Sequence, residues 1–304
     1  MFEIITDIIL ILILPFLFIG VINKTKAFWG GRKGPSILQS FYDCIRLFKK
    51  GQVISNTASF VFCMYPFVVL GTTFFAALLV PFAFSTAIIN INGGFILFAY
   101  VLGLGKFMSL IGALDVGSSF EGMGASREAA FSAMVEPAFF IVMASLAAMT
   151  GNFSFGSISS LMTHAGSLGY LMIILAAITF FIIILVEGCR VPVDDPNTHL
   201  ELTMIHEVMI LDNSGADLAM LTYSSALKMV IFASLIANVI LPDDLFFTHS
   251  LIYYLLIVFV IALLVGTLES AIARLRMSRV LDFIFIMSSI GLTILALVAV
   301  SLFS

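Results

Sequence analysis

Charge is what this chain has least of. Only 11% of its 304 residues are Asp, Glu, Lys or Arg, against 61% apolar, and the mean hydropathy is +1.17. A soluble globule of this length needs a far larger polar surface, so a water-soluble domain is excluded and an integral membrane protein is implied. Cysteine is scarce too: Cys44, Cys63 and Cys189 stand far apart without any C-x-x-C spacing. The chain by itself therefore assembles neither an iron-sulfur cluster nor a four-ligand zinc site. His206 and Glu207 hint at a zinc-protease pair, but Ile210 stands where the second His is needed, so no metal site is expected. Period-two alternation broken by frequent turns is missing, which rules out a membrane barrel. There is no fixed-period repeat, low-complexity tract or second domain, and residues 1–304 read as one membrane domain. A matched pair of interrupted helices, the usual mark of a carrier built from inverted halves, is also missing.

What the chain does have is eight apolar runs, each near the roughly 20 residues needed to cross a hydrocarbon core. They are Ile4 to Ile22, Phe60 to Phe84, Gly94 to Leu114, Ala129 to Thr150, Gly169 to Val186, Ala219 to Leu241, Ser250 to Leu268 and Val280 to Phe303. An all-α polytopic bundle follows, because backbone groups in lipid must pair within their own helix. The first run lacks a basic start and a small-residue cleavage site and reads as a retained span.

Twelve of the fourteen Lys and Arg fall on connections of one parity, seven of them between Lys24 and Lys50. The positive-inside rule then places the long connections in the cytoplasm and both termini outside. Lys106 and Lys228 lie within spans, as does Glu136, which is followed by Pro137. An ionised group at the centre of a spanning helix costs roughly 3 kcal/mol even on the lenient insertion scale, so such residues face a polar interior, an ion path or one another. Structural ion pairing of the two lysines with acids such as Glu136 is the plainer alternative.

Acid is concentrated in one place. Glu187, Asp194, Asp195, Glu201, Glu207, Asp212 and Asp217 fall within one 31-residue segment, seven of the eighteen acids in the chain, with Arg190 as the one Lys or Arg among them. Crowded carboxylates couple their protonation, which suits groups that take up and release protons. A basic partner face would suit the same cluster. His199 and His206 titrate nearest neutrality and can serve as relay, cap or contact. Two further stretches suit docking. Pro35 to Lys50 places Ile37, Phe41, Ile45 and Phe48 on one helical face, an amphipathic helix for the membrane surface. Asp115 to Glu128 mixes Gly and Ser with acids and Arg127, a loop suited to folding over a partner or capping helix ends.

Taken in order, RKGPSILQ with Asp43 and Arg46, ALDVGSSFEGMGASRE with the following VEP, EGCRVPVD with Glu201 and Asp212 beyond it, and LESAIARLRM resemble one family. It is the H-type (subunit 1) membrane protein of respiratory complex I and of membrane-bound [NiFe] hydrogenases. The wording is most similar to formate hydrogenlyase subunit 4 and its energy-converting counterparts. The resemblance implies an eight-helix subunit of the inner membrane, without redox centres of its own, joining a soluble redox arm to ion translocation.

Large and small hydrogenase-type subunits, carrying [NiFe] and iron-sulfur centres, and antiporter-like membrane subunits would be its partners; no nucleic acid is expected. Carried over by position, Glu136, Glu187, Asp194, Glu201 and Asp212 would belong to a proton path, with Lys106, Lys228, His199 and His206 beside it. Arg32, Lys33, Asp115, Arg127, Glu128, Arg190, Arg274 and Arg276 would face the partner. Asn197 and His199 stand where relatives carry acids, a departure that leaves the relay there open. Two other readings remain. One is a quinone-chamber subunit, shaped by Arg32 to Gln39 and Ser118 to Arg127. The other is a stand-alone ion carrier working through Lys106, Glu136 and Lys228.

Overall fold

The computed structural model describes residues 2–84, 86–157, 167–195, 204–242 and 246–303. It is built from helices, with no strand among those residues. They are α1 (Phe2–Trp29), α2 (Gln39–Phe48), α3 (Phe60–Leu79), α4 (Gly94–Asp115), α5 (Ser119–Thr150), α6 (Ser167–Glu187), the short α7 (His206–Met209), α8 (Gly215–Ile240), α9 (Phe247–Ala271) and α10 (Met277–Phe303). All except α2 and α7 are long and apolar enough to cross a bilayer, and each coincides with all or most of one of the expected runs. The chain is a multi-pass, all-α membrane protein.

Packing centres on α8, which touches α1, α2, α3, α6 and α9, and buries every side chain from Met229 to Val239. Around it, α3 pairs with α4, α1 with α9 and α5 with α10. Pro15, Pro66 and Pro137 all sit inside helices, which membrane helices tolerate because their neighbours re-satisfy the freed groups.

The boundaries differ from the expected ones where local chemistry intervenes. The third helix stops at Leu79 rather than Phe84, because Pro81 disfavours helical backbone at Val80, whose ψ is 132°. The tail folds back into the bundle instead: Asn238 Nδ2 donates to the Pro81 carbonyl at 2.6 Å and Ser250 Oγ to the Ala83 carbonyl at 2.5 Å. The amphipathic segment is helical only over Gln39–Phe48, leaving Ile37 outside it. None of the α2 side chains is buried, so Phe41, Tyr42, Ile45 and Phe48 stay exposed, as a helix lying in the membrane surface requires.

The largest departure concerns Asp115 to Glu128, expected as a loop. Only residues 116–118 connect the helices, turning on Gly117 at φ +74°, and α5 then runs unbroken for 32 residues. At 1.5 Å per residue that is roughly 48 Å, well beyond a hydrocarbon core of about 30 Å. Its first turns project past the apolar region and meet the acidic connection, so Arg127 and Glu128 lie on a rigid helix.

Close contact there depends on Gly124. A Cβ at this position would collide with the Val208 side chain and lie 2.9 Å from the Ile205 carbonyl oxygen. Ala normally stabilises a helix interior relative to Gly by up to ~1 kcal/mol. Here Gly124→Ala is expected to destabilise by ~1–3 kcal/mol through overpacking. Gly122→Ala, whose Cβ would meet nothing nearer than 3.9 Å, should not. Thermal unfolding of both variants in detergent checks the contrast; equal melting points would refute it.

Candidate functional site

The residues of the site come from several elements, and the end of α6 is where they meet. That helix closes on Glu187. Its C-terminus turns through Cys189, held at φ 51°, while the Arg190 amide donates back to the Leu185 carbonyl at 2.9 Å. This is the closure usually made by a glycine, and a left-handed non-glycine residue stores a small strain. Burial, reinforced by Glu128, Asp194 and Glu187, pushes the Cys189 thiol well above its ordinary value. It is held as a neutral thiol, unsuited to acting as a metal thiolate.

Opposite Glu187, α4 supplies Lys106. Its ammonium lies 2.5 Å from Glu187 Oε1 and 3.5 Å from Glu128 Oε1 on α5, with all three side chains nearly enclosed. Lys228 of α8 and the His206 side chain join Glu187 around a cavity of about 20 Å³, large enough for a water. A larger cavity of about 530 Å³ adjoins it. Lys106, Glu136, Glu187 and Lys228 provide its charged lining, and the packed rings of Phe98, Phe139 and Phe232 provide an apolar wall. The three charges that hydropathy singled out, Lys106, Glu136 and Lys228, therefore line one space. Lys106 pairs with Glu187 and Glu128 rather than with Glu136, which accepts from Ser132 Oγ at 3.3 Å and stands on the exposed side of α5. The lining residues overlap from cavity to cavity, and His206 and Cys189 carry the series on to a space of about 250 Å³ between α1, α2 and α8.

The acidic connection is knitted from within. Asp194 is fully buried: Arg274 lies 3.0 Å from its Oδ1, and the amides of Ile205 and His206 donate to its Oδ2 at 2.9 and 3.2 Å. Glu269 of α9, whose side chain is also fully buried, gathers two cations. Arg190 donates to its Oε1 at 3.4 Å, and Lys26 of α1 lies 2.6 Å from its Oε2 as a charge contact rather than an aligned hydrogen bond.

Not every expected residue joins the cavity. Asp212 is exposed and does not line it. Glu201 and His199 lie outside the described residues. Several residues expected at a partner surface are engaged inside this chain instead. Asp115 caps α3 by accepting from the amides of Ser59 and Phe62; Arg190 and Arg274 turn inward to acids; and Glu128 faces Lys106. Arg127 donates to the Met204 carbonyl at 2.9 Å, while Arg32, Lys33 and Arg276 are exposed. Sequence reasoning missed Glu269 and Asp7. The second was legible by the rule that found Lys106, as an acid inside the first apolar run; it is buried and its Oδ1 has no hydrogen-bond partner. Among the described residues, no three His, Cys, Asp or Glu side chains converge on a metal position.

Comparison with known sequences decides the family. The family model described as NADH dehydrogenase matches residues 2–301. The chain belongs to that family. Among individual relatives it is similar to hydrogenase-4 component C of Escherichia coli strain K12, at 29% identity over 275 residues, covering 88% of this chain and 86% of that protein. Formate hydrogenlyase subunit 4 of the same strain is 25% identical over 284 residues, covering 91% of each chain. In three dimensions the fold matches a chain of the membrane-bound sulfane sulfur reductase, an archaeal respiratory membrane complex. The TM-score is 0.82 at 19% identity, over 98% of this chain and all of that one. The family resemblance of the sequence motifs is thus correct, and this member is related to membrane subunits of hydrogenase and complex I-like assemblies.

Proposed function

We propose that this chain is the coupling subunit of a membrane-bound [NiFe] hydrogenase complex of the formate hydrogenlyase type, with its acidic connection facing the soluble redox arm. The observation that carries this reading is the 530 Å³ cavity, where Lys106, Glu136 and Lys228 are brought together with Glu187, the residue at which the connection begins. The relatives named above supply the type of complex. Electron transfer belongs to centres in the partner subunits. This chain contributes charge: Lys106 sits between two carboxylates, so a change of charge at the connection alters which of them it pairs with and, through Glu187 and Lys228, the protonation of groups lining the cavity. Glu136, on the open side, passes the change to a neighbouring membrane subunit.

Glu136→Gln keeps the shape and removes the charge. In the reconstituted complex it should lower ion movement per turnover about tenfold, equivalent to ~1.4 kcal/mol, while the complex still assembles and turns over. The same result is expected for Glu201→Gln. Unchanged pumping in both variants would remove the relay. A quinone-chamber role is a second reading, favoured by the space of about 250 Å³ between α1, α2 and α8. Quinone-dependent turnover by the purified complex would select it.

A further inference from the structure

The connection that follows α1 doubles back along it. Gly31 and Gly34 turn at φ +63° and +66°, the Arg32 amide donates to the Ala27 carbonyl at 2.8 Å, and Lys24 Nζ donates to the Lys33 carbonyl at 2.9 Å. The returning segment then lies against α1 at Gly20, where a Cβ would collide with the Ile37 carbonyl. One step deeper, the rings of Phe16 and Phe41 meet edge-on at 5.4 Å. Both contacts fall within the apolar run that ends at Ile22, and Phe16 precedes that end by roughly 9 Å along the helix. The start of α2 is therefore level with the outer part of the acyl chains rather than above the bilayer.

Around α2 the side chains sort by face. Ser40, Asp43, Cys44 and Leu47 line the space shared with α1 and α8. Phe41, Ile45 and Phe48 make an exposed apolar stripe on another face, and Lys49 and Lys50 at the end of the helix are exposed beside it. Lys24, Arg32 and Lys33 are exposed at the turn-back, just beyond Ile22. Between Lys24 and Lys50 the one acid is Asp43, which already accepts from Gln39 Nε2 at 2.9 Å and lies 3.5 Å from Arg46. Among the described residues, Lys24, Arg32, Lys33, Lys49 and Lys50 form no ion pair.

The plain explanation is that these cations only orient the first span. Orientation needs them anywhere on the connection, whereas the fold sets them at both ends of an aromatic stripe that lies at acyl depth. A soluble acidic partner would meet the charges but leave Phe41, Ile45 and Phe48 uncovered. Lipid satisfies both. We propose that this surface selects anionic phospholipid, with Lys24, Lys33, Lys49 and Lys50 holding headgroup phosphates while Phe41, Ile45 and Phe48 enter the acyl region. Lysine suits that task, because a point charge on a flexible stem follows a fluid array of phosphates. Lipid held there steadies α2 as one wall of the space of about 250 Å³. The surface is separate from the Lys106 cavity and stands independently of the role proposed for it.

Fluorescence quenching in phosphatidylcholine vesicles tests the assignment on the full chain. Trp29 is its only tryptophan, so Trp29→Phe combined with Phe48→Trp puts the sole emitter on the exposed stripe. Lipid brominated on its acyl chains is then titrated in, either as phosphatidylglycerol or as phosphatidylcholine. The brominated phosphatidylglycerol should quench at several-fold lower content, a preference that shrinks as salt is raised. Lys49→Gln with Lys50→Gln, and Lys24→Gln with Lys33→Gln, should each lower the preference by about fivefold or more. All four lysines are exposed, so the fold survives their loss. Equal quenching by the two lipids would overturn the inference, and so would a preference that both pairs of substitutions leave intact. Quenching by aqueous iodide and by neither lipid would overturn it too, and would give the surface to a soluble partner.

Discussion

Glu187→Gln is expected to destabilise the protein by ~3–5 kcal/mol, toward the lower end of that range, and to abolish coupled ion movement. The substitution removes the charge 2.5 Å from Lys106 and leaves the ammonium enclosed, with Glu128 at 3.5 Å as its remaining counter-charge. Breaking one side of a buried pair is the expensive operation, because the surviving charge has lost both water and partner. Replacing both partners should cost much less. Lys106→Met combined with Glu187→Gln is expected to recover part of the lost stability, since no ammonium is left stranded although Glu128 loses its counter-charge, and yet to remain uncoupled. A double-mutant cycle of unfolding in detergent, read beside ion movement in liposomes, separates the two effects. Additive destabilisation, or a coupled double variant, would show that the pair is not a unit.

The second large effect is expected at Glu269, which lies outside the cavity altogether. Its carboxylate holds Arg190 from the acidic connection and Lys26 from α1, with no exposed side-chain surface. Neutralising it in Glu269→Gln strands two cations at once. The expected cost is again ~3–5 kcal/mol. It should appear first as loosening of the connection rather than global unfolding, because other ties there, the Arg274 to Asp194 pair at 3.0 Å and the Arg127 bond to the Met204 carbonyl at 2.9 Å among them, remain. Limited proteolysis should cut between residues 188 and 215 far faster than in the wild type, and Glu269→Asp should restore part of the protection. Wild-type protease resistance in Glu269→Gln would rule out the tether. Because the cavity keeps all its charges in this variant, any loss of coupling would trace to the position of the connection alone.

The spans were legible in the sequence because crossing lipid imposes a one-dimensional condition: an unbroken apolar run long enough to close its own hydrogen bonds. That condition also exposed Lys106, Glu136 and Lys228 as anomalies. It does not say which partner each one meets. Lys106 reads equally well as paired with Glu136, and what sets it against Glu187 and Glu128 is the packing of α4 beside α5 and the place where α6 ends. The stretch from Asp115 to Glu128 misled for a related reason. Gly and Ser lower local helix propensity, but α5 is continuous and packs closely at Gly124, which lies against Val208.

Composition alone therefore determined that this is a helical membrane protein and that its acid is concentrated in one connection, since both are properties of single segments. Tertiary structure decided which acids work together. Asp194 and Glu269 became internal ties, Asp115 became a cap, and Glu187 became the centre of the charged cavity. An ionisable side chain takes its role from the charges and amides that close packing places within a few ångströms of it, and those come from parts of the chain up to 243 positions away, as Lys26 does for Glu269.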